Sequence, residues 1–166
     1  MSDTVAVKAL TIRQPWASLL ALGYKRTETR SWDTRVRGPV AIHAGLAMPC
    51  RRGESIEVGE FTVERDSGGL LLRGPRLARH RLPLGAVVAV GELFQTRRTD
   101  STEHHPDDMD RALGDHSPGR YAWSITSMCP LRTPIPATGR LGWWAWDCPT
   151  DVAADLRYPL LRGDKS

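Results

Sequence analysis

The chain has 166 residues, with 23 Lys and Arg against 19 Asp and Glu, for a formal net charge of +4. That length suffices for one domain whose core needs neither disulfides nor metal, and so small a charge excess does not by itself mark a nucleic-acid binder. Cys50, Cys129 and Cys148 lie far apart with no Cys-x-x-Cys spacing, which argues against a disulfide framework or a zinc site and for a reducing, cytoplasmic setting.

Residues 5–12 predict a first strand, ending at Arg13 and Gln14. Pro15 suits the first turn of a helix, where its missing N–H is not needed, and Trp16, Leu19 and Leu20 then share a face. Gly23 closes that short helix in the left-handed conformation. Residues 27–32 read as a strand whose period of two sets Glu28, Arg30 and Trp32 on one face and Thr27 and Thr29 on the other. Lys25, just ahead of it, can lean over either face. Gly38 and Pro39 mark a turn into a buried strand over residues 40–44, with His43 opposite Val40 and Ile42.

Residues 61–73 predict a hairpin about residues 66–69. Residues 86–94 form the most apolar strand, and an acidic loop with one helical turn after Pro106 leads into a strand over residues 120–128. A Pro-rich loop precedes a strand over residues 142–147, and a short helix over residues 151–156, capped by Thr150, leads into a frayed tail. Five or six short strands with brief helices point to an α+β, mainly β architecture that closes into a small barrel, since closure removes exposed sheet edges. A doubly wound parallel fold would need more long helices.

Charge is unevenly spread. Residues 13–37 hold six basic side chains (Arg13, Lys25, Arg26, Arg30, Arg35, Arg37) against Glu28 and Asp33, and residues 73–81 hold four arginines, His80 and no acid. Between Asp100 and His116 six acids face Arg111 alone, so basic and acidic regions are separate. With no basic leader before an apolar run and no eighteen successive apolar residues, neither secretion nor membrane spanning is expected.

The stretch from Ala9 to Ala17, with Arg13-Gln14-Pro15-Trp16 inside it, is followed by Gly23, Lys25, Glu28 and Arg30, then Arg37-Gly38 and Ile42-His43-Ala44. This ordered set resembles the ASCH family. Gly85–Leu93 is similar to that family's glycine-led central strand, Gly119–Ile125 to its aromatic strand, and Gly139–Trp146 to its final loop and Trp-bearing strand. The resemblance covers residues 6–147 and implies a small PUA-like β-barrel with a few short flanking helices. It implies one domain over residues 1–150, with residues 50–84 as an elaboration and residues 151–166 as a C-terminal helix and tail.

Function does not follow from fold. The resemblance implies binding of RNA or another single-stranded nucleic acid, or a nucleobase, in a basic cleft, as in the module attached to a eukaryotic transcription coactivator. Its alternative is hydrolysis, by a ribonuclease-like relative or an amidohydrolase that deacetylates acetylcytidine. The amidohydrolase pattern is Gly-x-Lys-Thr-x-Thr-x-Arg, which Gly23, Lys25 and Arg30 match, whereas Arg26 and Glu28 stand where that branch has threonines. Glu28 then serves as general base beside Lys25, and Glu92 is the nearest counterpart of that branch's downstream glutamate.

Lys25 and Glu28 are therefore the catalytic candidates, and Arg13, Gln14, Arg30, Trp32, Arg37 and His43 the binding candidates. Two cations and a carboxylate at a barrel mouth suit a phosphate and a base edge, against the alternative of a surface salt bridge. Arg13 and Gln14 precede a helix N-terminus and either hold an anion or face solvent. Trp16 belongs to the core by its stripe; Trp32 either stacks on a base or packs inward; His43 either meets the ligand or is hydrogen-bonded structure. The arginines of residues 73–81 are a phosphate clamp or a solvated loop. His104, His105 and His116 lie among acids without ligand spacing, so no metal site and no cofactor is expected.

Overall fold

The computed structural model describes residues 3–156, and the tail expected to be frayed lies outside the described residues. Alternation of exposed and buried side chains makes Thr4–Ile12 a strand, β1. After it come α1 (Trp16–Ala21), β2 (Thr27–Arg30), β3 (Gly38–Ala44), β4 (Ser55–Val58), β5 (Phe61–Asp66), β6 (Gly69–Gly74), β7 (Leu77–Leu82), β8 (Ala86–Arg98), α2 (Asp108–Leu113), β9 (Tyr121–Pro136), β10 (Trp143–Pro149) and α3 (Thr150–Asp155). The chain is mostly β with short helices, and no helix among the described residues is long and apolar enough to cross a membrane.

One six-stranded sheet runs β10-β1-β3-β8-β9-β2 and a four-stranded sheet runs β4-β5-β6-β7. No pairing joins β10 to β2, so no closed barrel is found among the described residues. β1 and β3 are parallel, with Thr11 opposite His43 and Ile12 opposite Ala44, while the other pairs of this sheet are antiparallel. A parallel pair needs a crossover. Here it is α1 and β2, which leave from the end of the sheet where β1 finishes and return to the opposite end, where β3 begins.

Three apolar clusters hold the layers together. Leu10, Ile12, Val40, Ile42, Leu93, Trp123 and Ile125 pack with Leu20 of α1 on one face of the large sheet. Val7, Ala9, Ala41, Val90, Trp144, Trp146 and Cys148 pack with Ala153 of α3 on the other. The third joins Leu19 of α1 to Phe61, Val63, Leu70, Leu72 and Leu82 of the small sheet and Leu113 of α2. Leu19 and Leu20, expected on one stripe with Trp16, thus serve different clusters. Consecutive helical residues diverge by about 100°, and α1 lies between two sheets, so almost all of its circumference is buried.

The expected hairpin around residues 66–69 is β5–β6, with Asp66 opposite Gly69. Gly74 is required by proximity, because a Cβ there would lie 2.2 Å from the Phe61 ring. Several boundaries differ from expectation. β2 stops at Arg30, so Trp32 follows the strand instead of ending it. α3 includes Thr150 and is preceded by Pro149 with no side-chain cap, so the expected Thr150 cap is absent. β8 and β9 run to 13 and 16 residues, because three register shifts between them absorb bends without ending the pairing. The supposed Pro-rich loop is largely β9. Beyond Thr126 the outer edge of β9 has no partner strand among the described residues, a position where proline is tolerated.

Leu19 is fully buried and connects α1 to the small sheet. Leu19→Ala is expected to lower stability by about 2–5 kcal/mol, read from urea unfolding; a loss within error would show that the two layers do not depend on that contact.

Candidate functional site: a basic cleft beside a buried ion-pair triad

In β2 the side chains alternate as the period of two requires. Thr27 and Thr29 are held by the acidic loop: Asp110 Oδ1 accepts from the Arg26 and Thr27 amides at 2.9 and 3.1 Å, its Oδ2 accepts from the Thr27 hydroxyl at 2.9 Å, and Thr29 Oγ1 accepts from the Asp115 amide at 3.2 Å. Asp110 is itself buried, at 5% exposure. This clamp fixes the strand so that Glu28 and Arg30 turn the other way.

Glu28 lies between two cations. Its Oε1 is 3.0 Å from Arg30 Nε and its Oε2 3.6 Å from Lys25 Nζ. The Lys25 side chain is 1% exposed and its ammonium also donates to the Thr27 carbonyl. Burial pushes the Lys25 ammonium below its usual pKa, against the opposing pull of Glu28 and Asp110. Arg30 donates to the Thr11 carbonyl at 3.2 Å, which ties β2 to the end of β1.

Glu28 and Arg30 line a cleft of about 930 Å³. Its walls come from the ends of β1 (Thr11, Ile12, Arg13) and β3 (His43, Gly45, Leu46), the residues after β2 (Ser31, Trp32), Arg120 ahead of β9, and residues 137–142 between β9 and β10. Four arginines (Arg13, Arg30, Arg120, Arg140) face one carboxylate, Glu28. Arg30 is paired with Glu28, and Arg120 is held by Asp115 at 3.3 Å and by the Thr29 carbonyl at 3.3 Å. Arg13 and Arg140 are exposed and make no ion pair among the described residues.

Trp32, half-buried, meets Trp123 edge-on at 4.6 Å, and Trp123 stacks on Trp143 at 5.5 Å. His43 is 1% exposed, its Nε2 lies 2.9 Å from the Ala137 carbonyl, and its ring meets Trp144 edge-on at 5.5 Å. Burial pushes its pKa below the ordinary value, against the pull of that carbonyl.

Against this geometry stand two sequence comparisons. The ASCH domain family matches residues 10–73, from the end of β1 through β6. The chain carries an ASCH domain. A 40-residue stretch is also 52% identical to human activating signal cointegrator 1, covering 24% of this chain and 7% of that protein. The chain therefore spans only a small part of that relative's length.

The ASCH domain places its candidate residues unevenly. Arg13, Glu28, Arg30, Trp32 and His43 meet in the cleft. Lys25 does not line it; it faces a second cleft of about 550 Å³ on the far side of Glu28, beside Glu57 and Asp115. Gln14 is fully buried, with Nε2 donating to Ser18 Oγ and the Pro83 carbonyl, both at 2.8 Å, and Oε1 accepting from the Ser18 amide at 3.1 Å. Its amide thus ties α1 to the segment before β8, and it is absent from the cleft lining. Arg37 turns back on Thr34 and Val36 carbonyls and Thr96, also outside the lining.

Glu92 sits mid-sheet on β8, opposite Pro39 and Thr126, and does not line the cleft. None of the arginines of residues 73–81 lines it either; Arg73 and Arg79 pair with Glu64 and Asp66 of their own sheet at 3.1 and 3.4 Å. His104 and His116 stack at 5.1 Å and share a 2.9 Å nitrogen contact, with His116 also on the Asp110 carbonyl at 3.0 Å. Thr11, Arg120, Arg140 and the two exposed leucines, Leu46 and Leu141, are cleft residues that sequence reasoning missed.

Glu28→Gln removes the charge between two buried or half-buried cations, and is expected to cost about 3–5 kcal/mol in urea unfolding. Adding Lys25→Met should recover part of that loss, since it removes the stranded ammonium; no recovery would show that the pair is not coupled. His43 supplies a pH test. Its folded pKa is below the 6.5 of the unfolded chain, so the unfolded state takes up its proton first as pH falls. Stability should therefore drop on acidification below about pH 6.5, by no more than about 1.4 kcal/mol per pH unit for one group. His80 and His104 act in the same direction, so the test compares wild type with His43→Asn, whose pH slope should be shallower; an equal slope would rule His43 out.

Proposed function

We propose that the cleft binds RNA or another single-stranded nucleic acid, with Arg13 and Arg140 taking phosphates and Trp32 offering its face to a base. The observation that carries this reading is the division of labour among the four arginines: Arg30 and Arg120 are bound to neighbouring acids, whereas Arg13 and Arg140 stand exposed at the mouth without one. Exposed guanidinium groups suit phosphate oxygens, and an aromatic side chain beside them suits an unstacked base. The ASCH resemblance to nucleic-acid-binding modules supports the same reading. The three cysteines are free, which suits a reducing compartment such as the cytoplasm.

Hydrolysis is the weaker reading. Both carboxylate oxygens of Glu28 are engaged, one by Arg30 and one by Lys25, so neither takes a proton from water without breaking an ion pair. Lys25 lies behind Glu28 and is not a lining residue of the cleft.

Labelled single-stranded RNA titrated at about 50 and about 200 mM salt should bind far more weakly at the higher salt. Arg13→Ala and Arg140→Ala should each weaken binding and each reduce the slope of log affinity against log salt by about 0.7, the value for one phosphate contact on a single strand. Absence of binding at the lower salt would overturn the proposal.

A further inference from the structure

Large apolar side chains left in solvent gather at the mouth of the cleft. Four are exposed among the described residues: Leu46, Met48, Phe94 and Leu141. Leu46 and Leu141 line the cleft from separate loops, at 74% and 100% exposure, and Met48 follows Leu46 by two residues. Single exposed leucines are ordinary on a protein surface, but a group of them at one concavity marks a contact site.

Leu141 is held out by the way its loop is rooted. On one side the Gly139 backbone packs against His43 and Thr11 so closely that a Cβ there would lie 2.5 Å from His43 Cε1 and 2.8 Å from Thr11 Oγ1. On the other, Trp143 donates from Nε1 to Thr34 Oγ1 at 2.8 Å and stacks on Trp123 at 5.5 Å. Only Arg140, Leu141 and Gly142 lie between these two anchors, and Gly142, with a φ of +65°, turns the chain straight back. So short a loop keeps its leucine away from the core. It presents Leu141 beside Arg140, one of the two exposed arginines of the cleft that have no ion pair among the described residues.

We propose that Leu141 is a wedge, inserted between two successive bases of the bound strand while Arg140 takes the phosphate that joins them. The proposal rests on the cleft being a single-stranded nucleic-acid site and adds how bases are held there. An apolar side chain separates neighbouring bases without reading their edges, so any sequence is accepted, but a strand whose bases stack well must first give up one stack. Leu46 supplies a second apolar contact at the same mouth. A lipid bilayer also offers phosphates above apolar groups, but it is flat, and both leucines belong to a concave lining.

Leu141 is fully exposed, so Leu141→Ser leaves folding intact and tests the contact alone. Wild type and variant are titrated with labelled hexauridine, whose bases stack little, and with labelled hexaadenylate, whose bases stack well. The variant should bind hexauridine about tenfold more weakly, with an unchanged salt slope because no ionic contact is lost. Its loss on hexaadenylate should be smaller, since the variant no longer breaks a stack there. Circular dichroism of the bound hexaadenylate reads the stack directly: wild type should remove about a fifth of the stacking signal, and the variant should restore it. Equal affinities of wild type and variant, or the same dichroism with both, would overturn the wedge while leaving the cleft as a nucleic-acid site. Pelleting of the wild type, but not of the variant, with phosphatidylserine vesicles would assign the leucine to a lipid surface and overturn the wedge as well. Binding of neither oligomer would overturn both the wedge and the reading on which it rests.

Discussion

Glu28 sits 3.0 Å from the Arg30 guanidinium on one side and 3.6 Å from the Lys25 ammonium on the other, at 8% exposure. Everything around the cleft is arranged to make that burial tolerable. An uncompensated carboxylate at this depth would be strongly disfavoured, so one cation is supplied from the residues ahead of β2 and one from β2 itself. Arg30 can reach Glu28 only because it stays two residues on along the same face, and it stays there because Thr27 and Thr29 are held on the opposite face by Asp110 and the Asp115 amide. The Arg30 bond to the Thr11 carbonyl then carries this order to β1, where the cleft begins.

A second consequence of the triad is electrostatic. By neutralising the one carboxylate in the lining from behind, Lys25 leaves the cleft dominated by its arginines without itself entering it. A group can thus shape the field of a site from outside the site. Asp110 completes the arrangement by lending Lys25 a second negative neighbour, which makes the acidic loop a structural partner of the basic motif.

The mainly β character, β1, the β5–β6 hairpin and α1 between Pro15 and Gly23 were all visible in the sequence, since alternation and turn residues are local signals. So was the grouping of Glu28 and Arg30 on one face, which needs only the period of a strand. The side on which Lys25 lies was not visible. It precedes β2, and no periodicity governs a residue outside an element; burial against Glu28 and Thr27 decides its place. Gln14 looked like a ligand because it stands beside Arg13, but its amide is engaged by Ser18 and Pro83, the latter 69 positions away. Arg120, Gly139 and Arg140 come to the cleft through the pairing of β9 with β8 and β2 and of β10 with β1, and such long-range register leaves no mark in a short window of sequence. The extent of β9 was hidden for a different reason: its prolines read as breaks, and they break a strand only where both edges are paired.

Those prolines have an effect of their own. From Thr126 onward β9 is an outer strand, and a bare strand edge is a template on which another chain can lengthen the sheet. Pro130, Pro134 and Pro136 have no N–H to contribute to such a ladder. The longest strand of the molecule therefore ends in a stretch that is extended enough to pair inward with β8 yet poorly suited to recruit a further strand, and intermolecular sheet growth is resisted at this edge by covalent structure and not by charge.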